Sequence, residues 1–202
     1  MQDFNNEPEV IAEEQVVAPK KSLKSFLEQV ELFVIVFAII VLVFSFVGRT
    51  CRVSGDSMNN TLLDGENVLI SNAFYTPERG DIIVFHQTDE NDPYNNEPIV
   101  KRVIAVAGET VRIQHFDKFM RVTVTDASGN STVLEEDYIE YDFPSYADSI
   151  TVVEEGTVFV MGDNRSHSAD SRAMRIGLVD TRRILGKVVV RVTPISRFGK
   201  VD

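Results

Sequence analysis

Tryptophan is absent from the 202 residues, cysteine occurs once and histidine three times. A single cysteine, Cys51, excludes an intramolecular disulfide and any metal site built on paired thiolates. The histidines, His86, His115 and His167, are scattered without metal-ligand spacing, so neither a metal nor a cofactor is expected. Basic charge is scarce too: 20 Lys and Arg face 31 Asp and Glu, a net charge of -11. Residues 1–31 hold three Lys against seven acidic residues, and residues 32–202 hold 17 basic against 24 acidic. An acidic chain without a basic stripe is not expected to bind nucleic acid. No period of 20 to 50 residues repeats, which argues against a solenoid or propeller.

The 155 residues after Val47 contain no second apolar run of spanning length. The first such run, residues 32–47, reads LFVIVFAIIVLVFSFV without a charge. Taken with Phe26, Leu27 and Val30, a helix over residues 26–47 would be about 33 Å long, matching a hydrocarbon core of about 30 Å. A helix apolar on all sides belongs in lipid rather than against a domain core. A cleavable leader fits less well, because Gly48-Arg49-Thr50-Cys51 offers no small-x-small exit site. Lys20, Lys21 and Lys24 precede the run, against Arg49 and Arg52 after it, which predicts an N-terminus inside and the rest of the chain outside. Three regions follow: an acidic disordered tail over 1–25, a transmembrane helix over 26–47 and an extracytoplasmic domain over 48–202.

That domain reads as mainly β. Short runs rich in Val and Ile, at 67–70, 81–85, 99–106, 110–114, 119–125, 131–134, 157–161 and 186–192, are separated by Gly, Asn and Asp. Residues 126–130, Asp-Ala-Ser-Gly-Asn, predict a hairpin loop. The polar stretches 87–97 and 138–150 read as solvated loops.

Two residues in this β framework carry chemistry. Ser57 lies in Ser54-Gly55-Asp56-Ser57-Met58, and Lys101 is the charged member of Pro98-Ile99-Val100-Lys101-Arg102-Val103. A serine hydroxyl needs a base, and lysine serves only if burial lowers its pKa from ~10.4. A third segment, Met161-Gly162-Asp163-Asn164-Arg165-Ser166-His167-Ser168-Ala169-Asp170-Ser171-Arg172, is too dense in charge and hydroxyls for an ordinary loop.

These three segments, with Arg79-Gly80-Asp81-Ile82-Ile83-Val84-Phe85 between the first two, resemble in order the boxes of bacterial type I signal peptidases, the Ser-Lys peptidase S26 family. The resemblance runs from about Phe26 to Lys200. It implies an antiparallel β-sheet or partly open barrel carrying the catalytic groups behind one N-terminal transmembrane helix. It also implies a membrane-bound serine endopeptidase that removes signal peptides from secreted preproteins, near the secretion translocase and at the bacterial membrane.

By the same resemblance Ser57 is the nucleophile and Lys101 the base, and Ser168 hydrogen-bonds Lys101. Asp170 and Arg172 form a salt bridge beneath the site, while Asp163 with Arg165 braces the loop. The Ser57 backbone N–H supplies an oxyanion donor. Some family members add a serine hydroxyl where this chain has Gly55, and most have proline where it has Asn60. Val53, Met58, Leu62, Ile99 and Val100 are expected to line shallow pockets for small side chains. Ser57 lies ten residues after Val47, so it stands no more than about 33 Å from the membrane edge. Rival readings exist. A Ser-His-Asp set of Ser57, His167 and Asp170 leaves Lys101 unused, and a self-cleaving repressor would need a DNA-binding domain and no span.

Overall fold

A computed structural model describes residues 23–87, 98–116, 119–139 and 147–201. Residues 1–22 of the expected disordered tail, 88–97 of the first polar stretch and 140–146 of the second lie outside this range, whereas residues 23–25, expected in the tail, begin a helix. The chain divides into two units, Met1–Val43 and Phe44–Asp202. In the first, helix α1 spans Leu23–Val47 into the next unit, and every side chain described from residue 25 to 41 is exposed. Those side chains include Glu28 and Glu31 and stop short of residues 42–47. Among the described residues no helix is long and apolar enough to cross a membrane.

The second unit is built from antiparallel strands. β1 (Arg49–Arg52), β2 (Asn67–Ser71), β3 (Ile82–His86) and β4 (Pro98–Val106) come first. β5 (Thr110–Phe116), β6 (Phe119–Thr125), β7 (Ser131–Val133) and β8 (Ser149–Val152) follow. The last are β9 (Thr157–Met161), β10 (Val179–Asp180), β11 (Ile184–Thr193) and β12 (Gly199–Lys200). Eight of them form one sheet in the order β1-β2-β11-β3-β4-β9-β10, with β12 added beside β11. The other four form a second sheet, β7-β6-β5-β8.

The alternation read in the sequence is what the sheets use. β6 buries Met120, Val122 and Val124 between exposed or half-buried neighbours, as a strand with one packed face should. β4 departs from alternation, burying five consecutive residues from Lys101 to Ala105, because it lies between β3 and β9 in the middle of the large sheet. Its register shifts between Val103 and Ala105. Ile104 and Ala105 join the core of the small sheet with Val111, Ile113 and Phe159. Val103 packs with Ile83, Phe85 and Val160. One strand therefore links the apolar clusters and places its two charges, Lys101 and Arg102, at their boundary.

The 126–130 loop forms as expected. The Asp126 carboxylate accepts the Ser128 and Asn130 backbone N–H groups, an Asx arrangement suited to a tight turn. The stretch 138–150 is not wholly loop, since its end pairs as β8 with β5, Ile150 opposite Arg112. β8 reads Ser-Ile-Thr-Val, but its alternate apolar residues Ile150 and Val152 are exposed, so the strand has no packed face of its own.

Candidate active site

Ser57 lies in a loop closed at its base by two backbone bonds, Val53 N–H to the Glu66 carbonyl at 2.8 Å and Gly65 N–H to the Val53 carbonyl at 2.9 Å. Gly55 adopts φ +84°, a left-handed conformation that glycine enters without steric cost, and its N–H donates to Asp64 Oδ1 at 2.8 Å. The next residues fold back, Asn59 N–H to the Asp56 carbonyl and Leu62 N–H to the Met58 carbonyl. Met58 and Leu62 are fully buried in the cluster with Val53, Val68 and Val84. Burial of such side chains is worth about 1.5–3 kcal/mol each, so the turn is pinned to the sheet on both sides of the serine.

Strand β4 brings the partner. Lys101 sits opposite Ile83 in the β3–β4 register, and its Nζ lies 2.7 Å from Ser57 Oγ and 2.8 Å from the Val100 carbonyl. Only 3% of Lys101 is exposed. Among the described residues no carboxylate stands within salt-bridge distance of the amine. Burial lowers its pKa to about 8, with Asp170 and Asp163 pulling upward and Arg172 downward. At pH 7 about one lysine in ten is then neutral, against roughly one in 2,500 for a solvated side chain.

The 161–172 segment holds the turn from behind. Asn164 N–H donates to the Ser57 carbonyl at 3.1 Å, and its side-chain amide donates to the Asp56 carbonyl at 3.0 Å. Gly162 is required at its position because an added methyl would overlap the Ser57 carbonyl oxygen and Ser168 Oγ. Asp170 accepts the Gly162 N–H at 2.9 Å and the Arg172 guanidinium at 2.8 Å. Burial by itself would raise the Asp170 carboxyl, but Arg172 holds it below the usual carboxylate range.

Two expectations need correction, and a third gains its partners. The two charges expected to brace the loop, Asp163 and Arg165, do so through separate partners. The Asp163 carboxylate takes the Arg102 guanidinium at 2.9 and 2.7 Å, because β4 and β9 align Arg102 with Met161, two residues before Asp163. Arg165 instead pairs with Glu136. Ser168 does not hydrogen-bond Lys101: its buried Oγ acts on the Asp170 carboxylate, which it helps to hold ionised, while the Lys101 amine turns toward Ser57 and the Val100 carbonyl. Of the expected pocket residues, Val53, Ile99 and Val100 line a cavity of about 100 Å³ beside Ser57 and Lys101. Met58 and Leu62 do not line it, because both are consumed by the core beneath the turn.

The same cavity is lined by Cys51, Arg52, Ser54 and Pro98. Burial raises the Cys51 thiol, which leaves it little thiolate character. His167 shares a 3.1 Å contact with Ser166 Oγ, whereas the basic nitrogen at Ser57 is that of Lys101. No acceptor takes the Ser57 backbone N–H among the described residues, so it is available as a donor. Asn60, at the position where the resemblance led to an expectation of proline, has φ +70°, which a proline ring locked near -65° cannot adopt.

Sequence reasoning missed Arg102, Glu136 and Tyr138 as members of this site. The Arg102 guanidinium also lies 4.0 Å from the Tyr138 ring centroid. Arg102 carried the same signal as Lys101, a charge inside an apolar strand, and that signal was legible.

A buried amine hydrogen-bonded to a serine hydroxyl on a β scaffold defines a hydrolase of the serine class. Comparison with known proteins narrows the class. Residues 26–193 match the family described as "Signal peptidase, peptidase S26". Signal peptidase IB of Staphylococcus aureus (strain COL) is 34% identical over 186 residues, covering 87% of this chain and 93% of that protein. Signal peptidase I of Leptolyngbya laminosa is 36% identical over 163 residues, covering 78% and 74%. The crystal structure of a signal peptidase I from Enterococcus faecalis V583 aligns at 30% identity with a TM-score of 0.40, covering 57% of this chain and 98% of that one. The chain belongs to the S26 signal peptidase family.

Proposed function

We infer that this chain is a serine endopeptidase that removes signal peptides from secretory preproteins, with Ser57 as nucleophile and Lys101 as general base. The observation that carries the dyad is the 2.7 Å contact between Lys101 Nζ and Ser57 Oγ, made by a buried amine that has no carboxylate partner among the described residues. In its neutral form the amine accepts the Ser57 proton as Oγ attacks the scissile carbonyl. The protonated lysine then gives that proton to the leaving amine, and once neutral again it takes a proton from the water that opens the acyl-enzyme. The Ser57 N–H faces the developing oxyanion.

The small cavity lined by Val53, Ile99 and Val100 accepts small side chains and refuses aromatic ones, so cleavage follows residues such as Ala. Ser168, Asp170, Arg172, Asp163 and Arg165 position the dyad without touching substrate. We read the eight-stranded sheet as the partly open barrel of this family. We read residues 26–47 as a single membrane anchor, residues 1–25 as a cytoplasmic tail and residues 48–202 as the extracytoplasmic catalytic domain. The uncharged run from residue 32 to 47 and the exposed side chains of α1 support the anchor. The bilayer then holds enzyme and preprotein at one height beside the translocase.

The test is to incubate the detergent-solubilised chain with a secretory preprotein and sequence the new N-terminus. Cleavage after a small residue by the intact chain, and none by Ser57→Ala, is expected. Cleavage by Ser57→Ala at the same bond would overturn the assignment. Externally added protease on wall-stripped cells should digest residues beyond Arg49 and spare those before Lys24; the reverse pattern would reverse the topology.

A further inference from the structure

Behind the nucleophile turn, on the side away from Lys101, lies a second charged cluster that the dyad chemistry does not use. Glu66 is 3% exposed. Its carboxylate accepts the Leu63 N–H at 3.1 Å, Arg191 Nη1 at 3.1 Å and Arg197 Nη1 at 2.6 Å. Neither arginine stops at the carboxylate. Arg191 Nη1 also donates to the Thr61 carbonyl at 3.1 Å, and Arg197 Nη2 donates to the Asn60 carbonyl at 3.3 Å. Arg191 Nε donates to the Arg197 carbonyl at 2.8 Å, which ties the two arginines together.

Three features make this more than a surface ion pair. The guanidinium groups grip consecutive backbone carbonyls, three and four residues after Ser57. One of those carbonyls belongs to Asn60, whose φ of +70° lies in a region that non-glycine residues seldom enter without support. The neighbouring Thr61 Oγ1 donates to Asp163 Oδ2 at 2.5 Å, the carboxylate that pairs with Arg102. The turn is thus held from the β4–β9 side by Asp163 and Asn164, and from the C-terminal side by the two arginines.

We propose that Glu66, Arg191 and Arg197 form a clamp that positions Ser57 for attack. It fixes the Asn60–Thr61 backbone from the C-terminal segment. The proposal rests on Ser57 being the nucleophile. These are positioning residues: none touches Lys101 or the cavity. Without the clamp, Asn60 relaxes from its left-handed conformation and the turn shifts Oγ relative to Nζ. A displacement near 1 Å is enough to slow a reaction by about 10²-fold.

Arg197 is the place to test this, because its side chain is 33% exposed and its loss leaves Arg191 on Glu66. In the full-length protein, Arg197→Gln should lower kcat for preprotein cleavage by about ten-fold, with KM and Tm nearly unchanged and the pH midpoint still that of Lys101. Thr193→Val is the control. Thr193, on β11 with Arg191, accepts through Oγ1 from the Asn67 backbone and side chain of β2 without bonding to the turn, and its replacement should lower Tm but not kcat. Asn60→Gly, which accepts a positive φ, should keep activity in the otherwise intact protein. An Arg197→Gln enzyme within two-fold of the parent kcat would overturn the clamp, as would equal kcat losses in Arg197→Gln and Thr193→Val. Ser57→Ala separates the two levels. Residual cleavage there would remove the nucleophile assignment itself, whereas a dead Ser57→Ala beside a fully active Arg197→Gln would remove only the clamp.

Discussion

Lys101 and Arg102 are adjacent on one strand, equally buried at 3% and 4% exposure, and treated in opposite ways. Arg102 meets a carboxylate in two hydrogen bonds and an aromatic ring, and its pKa is raised: burial opposes the charge, but the Asp163 hydrogen bonds outweigh it. Lys101 meets a hydroxyl and a carbonyl, and burial wins. The same contrast holds across the site. Arg165 and Arg172 each pair with a carboxylate, whereas the amine at the serine has none. Permanent charges brace the loop because a guanidinium does not give up its proton. A general base, the role proposed for Lys101, needs the reverse, a site where its charged form is poorly solvated and a proton can leave. Asp170 and Asp163 still pull the amine toward its charged form, but each is paired with an arginine and burial outweighs them.

Removing either dyad member should have the largest effect. Ser57→Ala and Lys101→Ala are each expected to lower turnover at least about 10³-fold while the domain stays folded, as checked by preprotein cleavage and circular dichroism. Lys101→Arg sharpens the contrast, because it keeps the charge and removes the titration. It should be as inactive as Lys101→Ala, and substantial turnover would show that a neutral amine is not needed.

Gly162→Ala comes next. A methyl there collides with the Ser57 carbonyl and Ser168, so activity should fall by about 10²-fold through misplacement of the nucleophile, with a smaller loss of Tm. Asp163→Asn attacks the brace rather than the dyad. It leaves Arg102 buried without its counter-charge, for which the expected loss is about 3–5 kcal/mol of stability, read by urea unfolding. If the brace and the dyad are separate in role, the surviving folded fraction keeps the parent pH profile.

Ser168→Ala should be the mildest. It removes a buried hydroxyl that only assists Arg172 and the Gly162 N–H at the Asp170 carboxylate, so stability should change by no more than about 1.5 kcal/mol. A loss of several kcal/mol would mean that Ser168 does more than assist them.

Legibility in the sequence followed the range of the interaction. β6 and β9 were legible to the residue, β6 because alternate Met and Val face a core and β9 because a continuous apolar run, Val158 to Met161, is buried throughout. β1 was not, since Arg49-Thr50-Cys51-Arg52 is largely exposed and has no period to read. β10 and β12, two residues each, exist only through their pairing partners. The same rule separates the site residues. Lys101 and Ser57 announced themselves through neighbours in the chain, and the dense 161–172 segment through its own composition. Glu136 binds Arg165 across 29 residues and Glu66 binds Arg191 across 125, so neither has a local pattern. Met58 and Leu62 show the converse limit: apolar residues beside a nucleophile suit a pocket and a core equally, and only packing decides.

The central claim is that burial without a carboxylate partner makes Lys101 a base. Its most direct test is the pH dependence of the single-turnover rate of preprotein cleavage. Burial lowers the Lys101 pKa to about 8, below the ordinary lysine value of ~10.4, and the neutral form is the active one. The rate should therefore be low at pH 6, rise about ten-fold per unit below the midpoint and level off above pH 8 to 9. A rate that is flat from pH 6 to 9, or that keeps rising to a midpoint above 10, would contradict the assignment.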